Sequence, residues 1–208
     1  MNVKSVEFAG AIATPGGNVP APLPQVAFAG RSNVGKSSLI NRLLGRTRTR
    51  VARVSTHPGK TREINFYRIR ASGEVGGLEF FLVDLPGYGY ARVPAHLRDA
   101  WRPLIEGYLK DNPRLRGVVQ LIDARHGPTE DDLRMIDFLA HLGVPALFVL
   151  TKVDKLSRSQ RAARIPELAR VLGQDEDQVL SFSARTGEGR ELLMDALEGL
   201  LDRKEATT

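Results

Sequence analysis

Eight residues, Gly30-Arg31-Ser32-Asn33-Val34-Gly35-Lys36-Ser37, match the pattern G-x-x-x-x-G-K-[ST]. Glycines at its two ends let successive backbone N–H groups turn inward around phosphate oxygens. Lys36 adds a positive point charge between β- and γ-phosphates, and Ser37, followed by Ser38, offers a hydroxyl to Mg²⁺. Two carboxylates further along suit the same ligand. Asp84 ends the apolar run Leu78 to Asp84 and opens Asp84-Leu85-Pro86-Gly87. A carboxylate there can hold Mg²⁺, often through water, and Gly87 lets a backbone N–H approach a γ-phosphate. Asp154 ends Thr151-Lys152-Val153-Asp154. It can accept from the N1–H and 2-amino group of guanine together, whereas adenine would leave the carboxylate unpaired and is excluded. Lys152 can lay its aliphatic stem over the base with its ammonium near the phosphate loop. The usual form of this motif carries Asn where Thr151 stands, and a threonine supplies one supporting hydrogen bond in place of an amide pair.

These residues need particular elements to hold them. Gln25 to Ala29 is a short apolar strand, and Lys36 to Leu44 has helical apolar spacing, so the phosphate loop reads as strand, loop, helix, with the helix dipole aimed at the phosphates. Strands are predicted at Ile64 to Ile69, Leu78 to Asp84, Gly117 to Asp123, Val144 to Leu150 and Val179 to Phe182. Helices are predicted over Ala95 to Lys110, from Thr129 to Leu142 behind a capping box with Asp132, from Ser157 to Leu172, and from Glu191 to Asp202. In the first of these the stripe Leu97, Trp101, Leu104, Ile105, Tyr108 and Leu109 is core, and Pro103 kinks the helix or marks a late start. The alternation describes an α/β fold of three layers, a mostly parallel sheet covered by helices on both faces, with the ligand at the carboxyl ends of the strands. Phe182-Ser183-Ala184, followed by Arg185, then turns after the last strand and can direct the Ala184 N–H at guanine O6. Residues 25–202 make one nucleotide-binding domain. Residues 1–24, with a weak strand at Val3 to Phe8 and a run of prolines and glycines, form an extension packing on or flanking it, and 203–208 is a tail.

Composition narrows the setting. The 208 residues contain no cysteine, which excludes disulfides and thiolate metal sites, and carry a net charge of +6. No apolar run approaches a membrane span, and a free cytoplasmic protein without membrane contact is expected. From Arg42 to Arg62 seven basic residues, Arg42, Arg46, Arg48, Arg50, Arg53, Lys60 and Arg62, stand without one carboxylate. Such a face can neutralise the phosphates of a nucleic acid backbone. The same segment holds Thr56 and Thr61. A threonine between the first helix and the next strand is where a nucleotide switch places a second hydroxyl on Mg²⁺, and Thr61, beside the strand, is the better candidate. After Gly87 comes Tyr88, where Ras-like switches carry the glutamine that orients the attacking water. Slow intrinsic hydrolysis is therefore expected. The histidines His57, His96, His126 and His141 show no ligand spacing.

The chain resembles the EngB (YihA/YsxC) family of bacterial translation-factor-related GTPases. The likeness spans Gln25 to Leu201 and rests on residues 30 to 41, Pro58-Gly59-Lys60-Thr61, Asp84-Leu85-Pro86-Gly87-Tyr88-Gly89-Tyr90-Ala91, residues 123 to 129, Thr151-Lys152-Val153-Asp154-Lys155 and Ser183-Ala184-Arg185. The resemblance implies GTP and GDP binding, Mg²⁺ held by Ser37 and Thr61 with Asp84, and a role in large ribosomal subunit assembly linked to cell division and septation. It also implies tolerance of threonine at 151. Asn33 is similar to the asparagine with which related GTPases bind K⁺, which would replace the missing glutamine. The basic 42–62 segment is the expected ribosome contact, and a monomer is expected. Lys36, Thr61 and Gly87 are the catalytic candidates. Two other classes stay open on sequence: a P-loop kinase-type phosphotransferase, against which the guanine-reading Asp154 argues, and a GTP-binding division scaffold with no RNA contact.

Overall fold

Strand β2 (Gln25–Gly30) is buried along its whole length, and everything else is arranged about it. The structure, a computed structural model, describes residues 1–46, 52, 63–74, 76–88, 103–110 and 112–202. Around β2 these residues form β1 (Asn2–Ile12), α1 (Lys36–Leu43), β3 (Ile64–Ser72), β4 (Gly77–Asp84) and a helical stretch α2 at 103–109. Then follow β5 (Leu115–Asp123), α3 (Glu130–His141), β6 (Ala146–Thr151), α4 (Arg158–Val171), β7 (Val179–Phe182) and α5 (Arg190–Leu201). The strands make one seven-stranded sheet in the order β1-β3-β4-β2-β5-β6-β7. β4, β2, β5, β6 and β7 run parallel, while β3 is antiparallel to both β1 and β4.

Alternation along β2 sets the three layers. Val26 and Phe28 face a core shared with Leu39, Ile40 and Leu43 of α1 and Leu193, Met194 and Leu197 of α5. Ala27 and Ala29 face the other side, with Leu104, Ile105, Tyr108 and Leu109 of α2 and Leu139 of α3. A third cluster packs Leu168 and Ala169 of α4 on Ile122, Phe148 and Leu150. The chain leaves β2 for β3 and β4 on one side and returns to β5 on the other, so the phosphate loop sits at the point where strand order reverses. The small side chains Ala27 and Ala29 leave room for the aromatic rings of Phe66, Phe81 and Tyr108, which meet edge to face.

The sequence-based boundaries hold with informative exceptions. β1 extends from Asn2 to Ile12, well past Val3 to Phe8, because β3 pairs with it from Asn2–Ser72 to Ile12–Ile64. That partner lies about sixty residues away and leaves no local periodicity. Two register shifts, at Val3/Ser5 and Phe8/Gly10, interrupt this pairing. β6 starts at Ala146 rather than Val144, since Pro145 has no N–H for the ladder and instead its carbonyl accepts from Val118 N–H at 2.8 Å. The capping box of Thr129 with Asp132 forms as read from sequence, and Ser157 with Gln160 makes a second one. Pro103 is the first of the described residues of α2, and Leu97 and Trp101 lie outside the described residues.

Gly189, which caps α5 with φ 78°, sits where a Cβ would stand 1.9 Å from the Ser181 carbonyl oxygen. Neither the backbone conformation nor that carbonyl can yield. Gly189→Ala is expected to destabilise the domain by about 3 kcal/mol or more, read as a lowered midpoint in urea denaturation.

Candidate functional site

The loop from Gly30 to Gly35 connects β2 to α1 at the carboxyl edge of the sheet. Gly35 N-caps α1 at φ 108° with no side-chain hydrogen bond, whereas α3 and α4 both close their N-termini with capping boxes. The first-turn N–H groups of α1 are thus left to a ligand. Gly30 is required for a different reason: a Cβ there would lie 2.9 Å from Val34 Cγ1 and 3.1 Å from Leu121 Cβ, so only glycine lets the loop fold back on β5. Asn33 adopts φ 65° and is exposed. Ser37 is half-buried and Ser38 lies at the rim of the adjoining cavity.

Lys36 and Asp84 are both buried, and the Lys36 ammonium donates to the Asp84 carboxylate. β4 runs directly into this contact, and the segment that follows is laid along the phosphate loop. Leu85 N–H donates to Phe28 O at 3.1 Å, Ser32 N–H to Tyr88 O at 2.8 Å, and Ser32 Oγ to Gly87 O at 3.3 Å. Gly87 lies so close that a Cβ would sit 3.1 Å from Ser32 Oγ and 3.3 Å from its backbone. Pro86 and Leu85 bridge the two ends, Leu85 buried in the core. The Tyr88 side chain turns toward α3 and β5. Its hydroxyl donates to Asp132 Oδ1 at 2.8 Å and accepts from Gln120 Nε2. Burial, and then the neighbouring Asp132, push this phenol well above its ordinary pKa, so it stays protonated.

On the other side of the loop, Thr151 Oγ1 lies 2.7 Å from Val34 O and 3.2 Å from Ile122 O. Its single proton ties the end of β6 to the phosphate loop, the one supporting bond expected of threonine. Lys152 takes a left-handed conformation, φ 61°, and its ammonium donates to Asn33 O at 2.6 Å. Val153 is fully buried and anchors the turn. Asp154 accepts from Ser183 Oγ at 2.7 Å and from Arg185 Nε at 2.9 Å. Burial alone would raise the Asp154 pKa, but these two donors hold it below the ordinary carboxylate value. Asp154, Lys152, Thr151, Gly35, Phe182 and Ala184 are among the residues lining a cavity of about 410 Å³. Candidates from both halves of the chain therefore meet around the phosphate loop. Gly59, Lys60, Thr61 and Thr56 lie outside the described residues, as do His57 and His96.

Three features went unseen in the sequence. Asp123, at the end of β5, is 1% exposed and accepts from Arg125 and Lys152. Its position was readable, since it ends an apolar strand as Asp84 does. Its partners were not. Arg42, counted above with the basic face, turns inward: its Nε donates to Ala184 O at 2.7 Å and its guanidinium also reaches Arg185 O. That removes one cation from the seven expected to face a nucleic acid, and Arg48, Arg50, Arg53, Lys60 and Arg62 lie outside the described residues. Third is the inward direction of Tyr88. Among the described residues no group of three or more histidines or carboxylates converges on a metal position, and His126 and His141 are exposed. No helix of the described residues is long and apolar enough to cross a membrane.

Comparison with known proteins agrees with this geometry. The family described as 50S ribosome-binding GTPase matches residues 25–152. The chain is 53% identical over 202 residues to a probable GTP-binding protein EngB of Gemmatimonas aurantiaca, covering 97% of this chain and 95% of that protein. It is 46% identical over 204 residues to the probable GTP-binding protein EngB of Desulforamulus reducens, covering 98% and 96%. Among solved structures, a probable GTP-binding protein engB superposes with TM-score 0.65 at 26% identity over 86% of this chain and all of that one. Era of Aquifex aeolicus, bound to GDP and aluminium fluoride, shares the fold with TM-score 0.70 at 24% identity, over 88% of this chain and 58% of that one.

Burial acting alone would raise the Asp123 pKa, but the hydrogen bonds from Arg125 and Lys152 outweigh it and hold the carboxyl well below the ordinary range. A depressed folded pKa gives stability that is complete above the unfolded value of about 3.9 and is lost as pH falls toward the folded one. In thermal melts the gap between the wild type and Asp123→Asn is expected to be widest near neutral pH and to narrow below about pH 4.

Proposed function

The chain belongs to the EngB family of GTP-binding proteins, and from that premise we propose that it is a guanine-nucleotide switch that hydrolyses GTP slowly and acts in large ribosomal subunit assembly. Normal cell division and septation would depend on it through that role. The observation that carries the guanine assignment is Asp154, a carboxylate kept ionised by Ser183 and Arg185 at the wall of the cavity beside the phosphate loop. Both of its oxygens accept, so it selects a base that donates twice. Thr151, Lys152 and Val153 frame that base, with Phe182, Ser183 and Ala184 opposite.

The phosphates belong on the backbone of Gly30 to Ser38, where α1 has no side-chain cap, with Lys36 released from Asp84 to meet their charge. One buried carboxylate, Asp84, and the Ser37 hydroxyl form an all-oxygen donor set, completed in our proposal by Thr61. That set suits Mg²⁺, which takes one or two carboxylates, hydroxyls and phosphate oxygens. The ion would neutralise charge on the β- and γ-oxygens. Lys36, Thr61 and the Gly87 N–H are the groups we assign to the transferring phosphate, and to Gly59, Lys60, Leu85 and Pro86 we assign a share in nucleotide binding. Slow intrinsic turnover follows from Tyr88. Its hydroxyl is spent on Asp132 and Gln120, and the side chain offers no amide to orient a water. A partner or a K⁺ ion beside Asn33 would supply what is missing.

Ribosome contact is supported by the family description, by the net charge of +6 and by the basic 42–62 segment, to which Arg46 belongs, while Arg42 is held by the Ala184 and Arg185 carbonyls. We place the work in the cytoplasm, by a monomer, with 25–202 as the G domain, 1–24 as its flanking extension and 203–208 as a tail.

Asp154→Asn is expected to exchange guanine for xanthine preference, since an amide donates to the xanthine 2-oxo group; competition binding with GTP and XTP reads it, and unchanged GTP selectivity removes Asp154 from this role. Co-sedimentation with ribosomal subunits across a salt series is expected to show large-subunit binding with a non-hydrolysable GTP analogue, lost with GDP and weakened by salt. Binding in no nucleotide state would overturn the assembly role while leaving guanine recognition intact. Turnover that is equal in Na⁺ and K⁺ buffers would remove the K⁺ site.

A further inference from the structure

Asp123 does not itself line the cavity assigned above to the base, yet its carboxylate is the meeting point of three cations. Arg125 grips it as a fork, Nε to Oδ1 at 2.9 Å and an Nη to Oδ2 at 2.8 Å, with its own N–H adding a third bond at 3.1 Å. Lys152 Nζ donates to Oδ2 at 2.9 Å. Arg31, inside the phosphate loop, brings an Nη to 3.8 Å from the same oxygen. The strand register explains the convergence. Asp123 pairs directly with Thr151 across β5 and β6, and β5 also lies beside β2, so the end of β5 is flanked by the phosphate loop on one side and the Thr151-Lys152-Val153-Asp154 turn on the other.

We infer that Asp123 is a positioning residue for nucleotide binding: it sets Lys152 over the base cavity and thereby locks the base-reading turn to the phosphate loop. Lys152 needs such a lock. A lysine at φ 61° sits in the left-handed conformation that L-residues rarely adopt. The two acceptors of its ammonium, Asn33 O and Asp123 Oδ2, hold it there. The stem between backbone and ammonium then crosses the loop: Lys152 Cε is 3.6 Å from the position of a Cβ on Gly35. Without the Asp123 charge, the Lys152 ammonium would keep one carbonyl and face Arg31 and Arg125 with no anion among them. Like charges would drive the lysine, already partly exposed, out toward water and off the cavity. Arg125 has the complementary task of fixing the plane of the carboxylate, which bidentate geometry does better than a single contact.

The inference rests on Lys152 being a wall of the base site, and a double-mutant cycle separates the two ideas. GDP affinity is measured by calorimetry, in buffer with Mg²⁺, for wild type, Asp123→Asn, Lys152→Met and the double variant. Asp123→Asn is expected to weaken GDP by about ten-fold, the size of one lost charge-assisted hydrogen bond. In the Lys152→Met background the same change should alter affinity by less than about two-fold, because its route of action is gone. Arg125→Gln, which loosens the carboxylate from its other side, should weaken GDP in the same direction, and that effect too should vanish with Lys152→Met. It serves as the working variant if Asp123→Asn does not fold. A full ten-fold loss persisting in the Lys152→Met background would mean general damage to the fold and overturns the positioning role alone. Unchanged GDP affinity in Lys152→Met itself would overturn the base-site role of Lys152, and this inference with it.

Discussion

Three carboxylates stand at the carboxyl ends of neighbouring parallel strands, and the need to neutralise each of them shapes everything around the cleft. Asp84 ends β4, Asp123 ends β5 and Asp154 follows β6, with β2 and the phosphate loop between the first two. An unpaired carboxylate at such depth would cost several kcal/mol, more than any local turn preference can offset. Each therefore has a cation beside it: Lys36 for Asp84, Arg125 and Lys152 for Asp123, Arg185 for Asp154. A negative edge so compensated tolerates a phosphorylated ligand, because the cations outnumber what the carboxylates alone require.

Pairing at that edge also decides which loops move together. Arg42, in the last turn of α1, holds the carbonyls of Ala184 and Arg185, while Arg190 at the start of α5 donates to Arg42 O and Leu43 O. The turn beside Asp154 is thus fastened to the helix that carries the phosphate loop. On the opposite flank, Ser32 holds Gly87 and Tyr88 by backbone and side chain, and the Tyr88 phenol reaches Asp132 in the capping box of α3. The phosphate loop is therefore in direct contact with both the turn that carries Asp154 and the segment after Asp84. Whatever displaces one of them strains the others through these direct hydrogen bonds.

What the sequence disclosed follows from how local each piece of chemistry is. The strand, loop and helix around residues 30–37, the capping box at Thr129, the strand end at Asp84 and the turn after β6 that carries Asp154 are contiguous patterns, and each formed where expected. The length of β1, the inward turn of Arg42 and the destination of the Tyr88 hydroxyl depend on partners tens of residues away, 142 positions in the case of Arg42 and Ala184. No spacing rule reports such contacts. Asp123 falls between these cases. Its place at the end of a buried strand was plain, but its neighbours Arg31 and Lys152 are brought to it only by the order of β2, β5 and β6.

The two margins of the sheet have a consequence for the protein in a crowded solution. β1 is the outermost strand on one side, eleven residues long, and on its own such a margin would be a ready template for another chain. Two register shifts break its line of free N–H and C=O groups, and the exposed Lys4 and Glu7 place charge along it. The other margin, β7, is only four residues long. Neither side presents the long, flat, uncharged strand from which fibrils and domain-swapped aggregates grow, so colloidal stability is built into the sheet's borders independently of any partner.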